Sequence, residues 1–107
     1  MNNRELKILF DDILEVLKSF DNKDDIFDFL RDLLSEKEII EFSNRFKVAQ
    51  MLEEKIAYKK IEEKTWTSST TIARISKFLN WENNGYKKAI KKLKSNSHKH
   101  HTAHCSK

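Results

Sequence analysis

Tyr58-Lys59-Lys60-Ile61-Glu62-Glu63-Lys64-Thr65-Trp66-Thr67-Ser68-Ser69-Thr70-Thr71-Ile72-Ala73-Arg74-Ile75-Ser76-Lys77 is the stretch from which the fold is read. A short helix is expected over Tyr58 to Lys64, with Ile61 as its inward anchor. Ser68 or Ser69 can cap a second helix, along which Ile72, Ile75 and Leu79 recur at helical spacing. Two short helices joined by a tight turn make a helix-turn-helix. The second helix opens on Ser68, Ser69, Thr70 and Thr71, whose hydroxyls reach phosphate oxygens or base edges while the free N–H groups favour anions. Lys59, Lys60 and Lys64 on the first helix, with Arg74 and Lys77 on the second, supply contacts to phosphate that orient without reading sequence. Serine and threonine bond to any base, so sequence choice would rest partly on DNA shape. A hydroxyl cluster at a helix start is by itself only a cap. The weight lies in the order: acidic helical body, short helix, turn, hydroxyl-rich helix, basic helix.

Charge changes sign where this stretch begins. Residues 1 to 57 hold 9 Lys/Arg against 14 Asp/Glu, a net of −5, and residues 58 to 107 hold 12 against 3, a net of +9. The second half therefore attracts a polyanion and the first half is repelled by one, so if the partner is nucleic acid, such as double-stranded DNA, its face lies in the second half. With no proline and one glycine, Gly85, the chain lacks the turn residues that a many-stranded fold requires, and an all-α fold is expected. A chain of 107 residues closes only a thin core, so a homodimer is the default.

Toward the N-terminus, one helix is expected over residues 3 to 20. Leu6, Phe10, Ile13, Leu17 and Phe20 form a heptad-like seam, widened by Leu9, Leu14 and Val16 so that more than one side should be buried, across a dimer interface at least as well as inside one chain. Asp24 or Asp25 can cap a second helix carrying Ile26, Phe27, Leu30 and Leu34. Ser35 and Glu38 form a capping box for a third, reaching about Glu54, with Ile39, Phe42, Phe46 and Ala49 on one face. Phe27, Phe29, Phe42 and Phe46 are read as ordinary core. Toward the C-terminus, Asn83-Asn84-Gly85 is a strong turn signal, followed by a basic helix from about Tyr86 to Lys94 with Tyr86, Ala89, Ile90 and Leu93 inward. The expected domain is 1–94: a helical dimerisation body over 3–57, the helix-turn-helix over 58–79 and the basic helix over 86–94. Residues 95–107 read as a disordered, His-rich tail.

Five segments together resemble the Trp repressor superfamily, in its YerC/YecD-type branch. They are Leu30-Arg31-Asp32-Leu33-Leu34-Ser35, Arg45 through Leu52, Tyr58 through Glu63, Ser68 through Ile75, and Leu79-Asn80 with Gly85-Tyr86. The similarity runs over about residues 26 to 93 without evident gaps. It implies a Trp repressor-like helical bundle forming an intertwined homodimer, two recognition helices one DNA turn apart, and a role as a DNA-binding transcriptional regulator of repressor type. By the same resemblance Ser69, Thr70, Thr71 and Ala73 face bases, while Tyr58, Lys59 and Glu62 sit on the bracing helix near the DNA backbone.

Several residues depart from the family. Trp66 stands where glycine is usual in the turn; if that position takes positive φ, tryptophan costs roughly 1–2 kcal/mol there. Either the turn is remodelled or the indole points outward, and packing on a neighbouring helix or partner subunit is its expected fate. Glu62 stands where a small residue lets the two helices approach. Ala57 replaces a capping hydroxyl, at about 1 kcal/mol. The resemblance places Arg45 and Arg74 at the two arginines that hold tryptophan in the Trp repressor, but Ile75 and Phe78 replace the glycine and serine of that pocket. The expectation is no tryptophan corepressor and no other cofactor.

Asp11-Asp12 and Asp24-Asp25 are sequence neighbours that point different ways on a helix, and one glycine makes no phosphate loop, so no enzyme is expected. His98, His100, His101, His104 and Cys105 are metal-ligand types, yet their spacing fits no closed zinc module, which leaves them weak candidates. A single cysteine and the absence of a membrane-length apolar run or leader pattern point to the cytoplasm and to no membrane partner. The other reading consistent with Glu62 and Trp66 is a helical dimerisation or protein-interaction module that has lost sequence-specific DNA binding.

Overall fold

The computed structural model describes residues 1–81 and 84–99. They form helices throughout, with no strand among the described residues: α1 (Asn3–Leu9), α2 (Asp11–Ser19), α3 (Lys23–Leu33), α4 (Glu36–Glu53), α5 (Tyr58–Thr65), α6 (Ser69–Phe78) and α7 (Gly85–Lys99). The chain divides into two compact units, Met1–Ile39 and Ile40–Lys107.

In the first unit the single helix expected over residues 3 to 20 is broken at Phe10, which relaxes to φ −92°, ψ 0°. The break is mild. Phe10 N–H still donates to Leu6 O at 3.0 Å, and Phe10 O accepts from Leu14 N–H at 3.1 Å. Asn2 caps α1 in a reciprocal box with Glu5, each backbone N–H donating to the other's side chain. The cap of α3 is Asn22 rather than either aspartate: its Oδ1 accepts from Asp25 N–H at 2.9 Å. Asn22 is extended and three residues upstream, as a cap must be, which leaves Asp24 and Asp25 in the first turn, favourable to the helix dipole. The Ser35–Glu38 box opens α4 as read, with bonds of 2.9 and 3.1 Å.

The expected burial of this unit is not met within the chain. No residue of α1, α2 or α3 is buried. Leu9 is 73% exposed, Phe10 50% and Phe27 55%. Phe29 packs near Phe20, with ring centroids 6.1 Å apart. Reading the phenylalanines as core therefore fails at Phe27. It also fails at Phe42, which stays 44% exposed and carries the Arg45 guanidinium 5.5 Å from its ring centroid. Spacing reveals an apolar face but not what covers it.

The core lies in the second unit. Val48, Ala49 and Met51 from α4, Ile61 from α5, Ile72 and Ile75 from α6, then Leu79 and Ile90 are buried together, with Phe46, Leu52, Ile56 and Tyr86 packed around them. At about 25 cal/mol per Å² of apolar surface, each such side chain contributes on the order of 1.5–3 kcal/mol. The α4 end is a left-handed cap without glycine: Lys55 takes φ 66°, its N–H donates to Leu52 O, and Ile56 N–H donates to Met51 O. Asn84 caps α7, accepting from Lys87 N–H at 2.9 Å and donating through its side-chain amide to Leu79 O. Gly85 is thus the first helical residue and has no positive φ, so its role is not the turn that the sequence suggested. α7 continues to Lys99, five residues beyond the expected end, so residues 95–99 are helical rather than tail. Ile90 is its buried anchor, while Ala89 and Leu93, expected inward, are exposed.

Candidate nucleic-acid interface

α5 and α6 pack directly on one another. Ile61 holds α5 from within, and Ile72, Ile75 and Leu79 hold the back of α6, all buried. Ala57 makes no side-chain cap for α5, as its chemistry dictates. Ser68 is the cap of α6: its Oγ accepts from Thr71 N–H at 3.3 Å and lies 3.1 Å from Thr71 Oγ1. The hydroxyl of Ser69 is left free of that duty on the exposed first turn.

With the apolar side of α6 locked inward, the polar side is presented. Ser69, Thr70, Ala73, Arg74 and Lys77 are exposed and Thr71 is half-buried. Thr70, Thr71, Ala73, Arg74 and Lys77 line one continuous surface depression, joined by Ser76 and Asn80. The latter two were missed in the sequence, although successive helical steps of three and four from Ala73 reach Ser76 and then Asn80. Asn80 Nδ2 donates to Ser76 O at 3.1 Å, tying the last turn of α6 to the segment beyond it. On α5, Tyr58, Lys59 and Lys60 are also exposed. The anticipated set therefore stands on accessible faces of two helices in contact. Glu62 is half-buried, and α5 packs on α6 despite it.

The turn between the helices was less legible. Thr65 is buried; its Oγ1 donates to Ile61 O at 2.7 Å and lies 2.9 Å from Thr67 Oγ1. Trp66 keeps the left-handed conformation usually given to glycine, at φ 57° and ψ 32°, and its N–H donates to Glu62 O. Its side chain is 93% exposed, so it does not pack on a neighbouring helix of its own chain. The turn is not remodelled. The indole points out.

Arg45 and Arg74 line a cavity of about 320 Å³ with Thr71, Ile75, Phe78 and Tyr86. Ile75 is 1% exposed, and Phe78 makes an edge-on pair with Trp81, centroids 4.5 Å apart. Ile75 and Phe78, expected to fill the space an indole needs, instead line a cavity that stays open between Arg45 and Arg74. The tail candidates His100, His101, His104 and Cys105 lie outside the described residues, as does the side chain of His98. Among the described residues no helix is long and apolar enough to cross a membrane.

Comparison with known proteins agrees with this architecture. The family profile described as Trp repressor protein matches residues 8–94. The uncharacterized protein YerC of Bacillus subtilis (strain 168) is 35% identical over 94 residues, covering 88% of this chain and 86% of YerC. Among solved structures, a TrpR-like protein from Eubacterium eligens ATCC 27750 superposes with TM-score 0.77 at 35% identity, over 86% of this chain and 95% of that one. A candidate Trp repressor from Staphylococcus aureus gives TM-score 0.78 at 26% identity, over 88% and 95% respectively.

Proposed function

The chain belongs to the Trp repressor family, and from that premise we propose that it is a homodimeric DNA-binding transcriptional regulator of repressor type. The observation that carries the reading is the exposed face of α6. Ser69, Thr70 and Ala73 stand there with Arg74 and Lys77, on a helix fixed from behind by Ile72, Ile75 and Leu79. α6 enters the major groove, its N-terminal hydroxyls meeting base edges, while α5 crosses the backbone with Tyr58, Lys59 and Lys60 toward phosphates. Ser68 contributes as the cap, which orients the free N–H groups of the first turn.

Dimerisation is supported by the apolar face that α1, α2 and α3 leave open: Leu6, Leu9, Phe10, Phe27 and Leu33 are all exposed in the single chain. Exposed apolar side chains in this number suit an interaction surface. The regulator works without tryptophan as corepressor. Ile75 removes the close backbone approach that glycine permits, and Phe78 removes a hydroxyl from the wall between Arg45 and Arg74. The chain's role is binding rather than catalysis, in keeping with its family.

Selection of bound sequences from a random duplex pool tests the proposal. Enriched sites with two-fold symmetry are expected. Absence of binding even at low salt would instead favour a protein-interaction module built on the same fold.

A further inference from the structure

We propose that Trp66 is a DNA-contact residue whose indole lies against the sugar-phosphate wall of the groove that α6 enters. The inference rests on the helix-turn-helix reading above and adds to it a contact that the family's usual glycine cannot make. Two independent observations carry it. Trp66 holds a left-handed backbone, φ 57° and ψ 32°, which disfavours every side chain except glycine and, to a lesser degree, asparagine. Its indole is also more exposed, at 93%, than any other large hydrophobic side chain among the described residues. Strain at the backbone is therefore not offset by packing inside the chain. Strained positions are held by the structure around them and cluster at active sites and ligand clamps.

Position and charge identify the ligand. Trp66 lies three residues before the first residue of α6, so its Cα is within about 11 Å of Ser69 even if the chain between is fully extended. When the N-terminus of a recognition helix enters the major groove and the preceding helix crosses the backbone, the turn between them meets the groove wall. Exposed Lys59, Lys60 and Lys64 precede the turn, and exposed Arg74 and Lys77 follow it. Trp66 borders a cleft of about 290 Å³ with Asn44, Arg45, Thr67, Ser68 and Thr71, which bring an amide, a guanidinium and three hydroxyls to the lining; Glu41 is the carboxylate there. A deoxyribose offers an apolar face to the ring, and a phosphate oxygen accepts from the indole N–H, the only polar group tryptophan presents.

The test compares the full-length chain with Trp66→Gly and Trp66→Asn, both of which suit the left-handed turn. Affinity for a labelled random-sequence duplex is measured by fluorescence anisotropy across a salt series. Both variants should bind about tenfold more weakly, on the scale of one lost hydrogen bond to a charged phosphate oxygen. Their log–log salt slope should be unchanged, because no cation has been removed. Indole fluorescence of the wild type should be protected from iodide by duplex, and that protection should vanish in Trp66→Asn. Wild-type affinity in both variants would overturn the contact while leaving the helix-turn-helix reading intact. A loss confined to Trp66→Gly would assign the effect to backbone flexibility and overturn it. Weaker self-association of the variants with unaltered DNA affinity would place the indole on a second copy of the chain and overturn it. Failure of the wild type to bind duplex at low salt would overturn both readings.

Discussion

Replacing Trp66 by glycine is expected to stabilise the fold although it deletes the bulkiest side chain of the turn. An L-residue in the left-handed region costs about 1–2 kcal/mol, which glycine does not incur. Glycine brings a more flexible unfolded chain, worth about 0.4–1 kcal/mol in the other direction. Lost contacts count for little, because the indole is 93% exposed. The remaining covered fraction is on the order of 15–20 Å² of a large aromatic, about 0.4 kcal/mol at 25 cal/mol per Å². Midpoints of these ranges leave a net gain of about 0.4 kcal/mol. For a domain of this size that raises Tm by roughly 2–3 °C. Calorimetry and urea unfolding at two protein concentrations measure it. Lys55→Gly serves as an internal standard, since Lys55 holds the same conformation at φ 66° with an exposed side chain. It should gain a similar amount. A fall in stability for Trp66→Gly beside a gain for Lys55→Gly would show that the indole is packed against something, and the reasoning from exposure would fail. Together with the weakened DNA binding expected of the same variant, the gain would mark Trp66 as a position where stability is given up for contact.

Three further expectations concern the scaffold and the pocket. Ile61→Ala empties a fully buried site between α5 and the core and should cost about 2–5 kcal/mol in denaturant unfolding; a cost below 1 kcal/mol would contradict its place in the core. Ser68→Ala removes the cap of α6 and should cost about 1 kcal/mol, with the first turn of α6 losing amide-exchange protection before the rest. Uniform exchange across α6 would argue that the cap is not what orders its start. Equilibrium dialysis should show no saturable, micromolar uptake of tryptophan, because Ile75 and Phe78 wall the space between Arg45 and Arg74. Stoichiometric uptake would refute that.

The second unit was the more legible half. Ile61, Ile72, Ile75 and Leu79 could be read as core because helical spacing and a thin polar surround leave them one direction to face, and all four are buried. Ser35 and Glu38 were readable because a reciprocal cap has a strict spacing. What escaped were features where context overrides propensity. Lys55 and Trp66 adopt the left-handed region without being glycine, because the next helix must start immediately and tertiary packing sets the turn. Conversely Gly85, the one residue that invites such a turn, begins a helix behind the Asn84 cap. The polar composition beyond Ser95 suggested a tail, yet the helix continues to Lys99, since lysine and a missing breaker let an established helix propagate. In α1 to α3 the apolar stripe was visible, but periodicity could not say that it would remain uncovered within one chain. In the candidate interface, Arg74, Lys77 and the hydroxyls were anticipated, whereas Ser76 and Asn80 became apparent only when α6 showed which face it presents.

Salt-dependent binding to duplex DNA tests the central claim most directly. The full-length chain should bind random duplex at low salt, with log affinity falling linearly against log salt concentration. Lys77→Ala, which removes one exposed cation from each α6, should make that slope shallower by about 0.9 per subunit, about 1.8 for the dimer. A wild-type chain that leaves duplex DNA unbound at low salt, or a slope that Lys77→Ala and Lys59→Ala both leave unchanged, would contradict it.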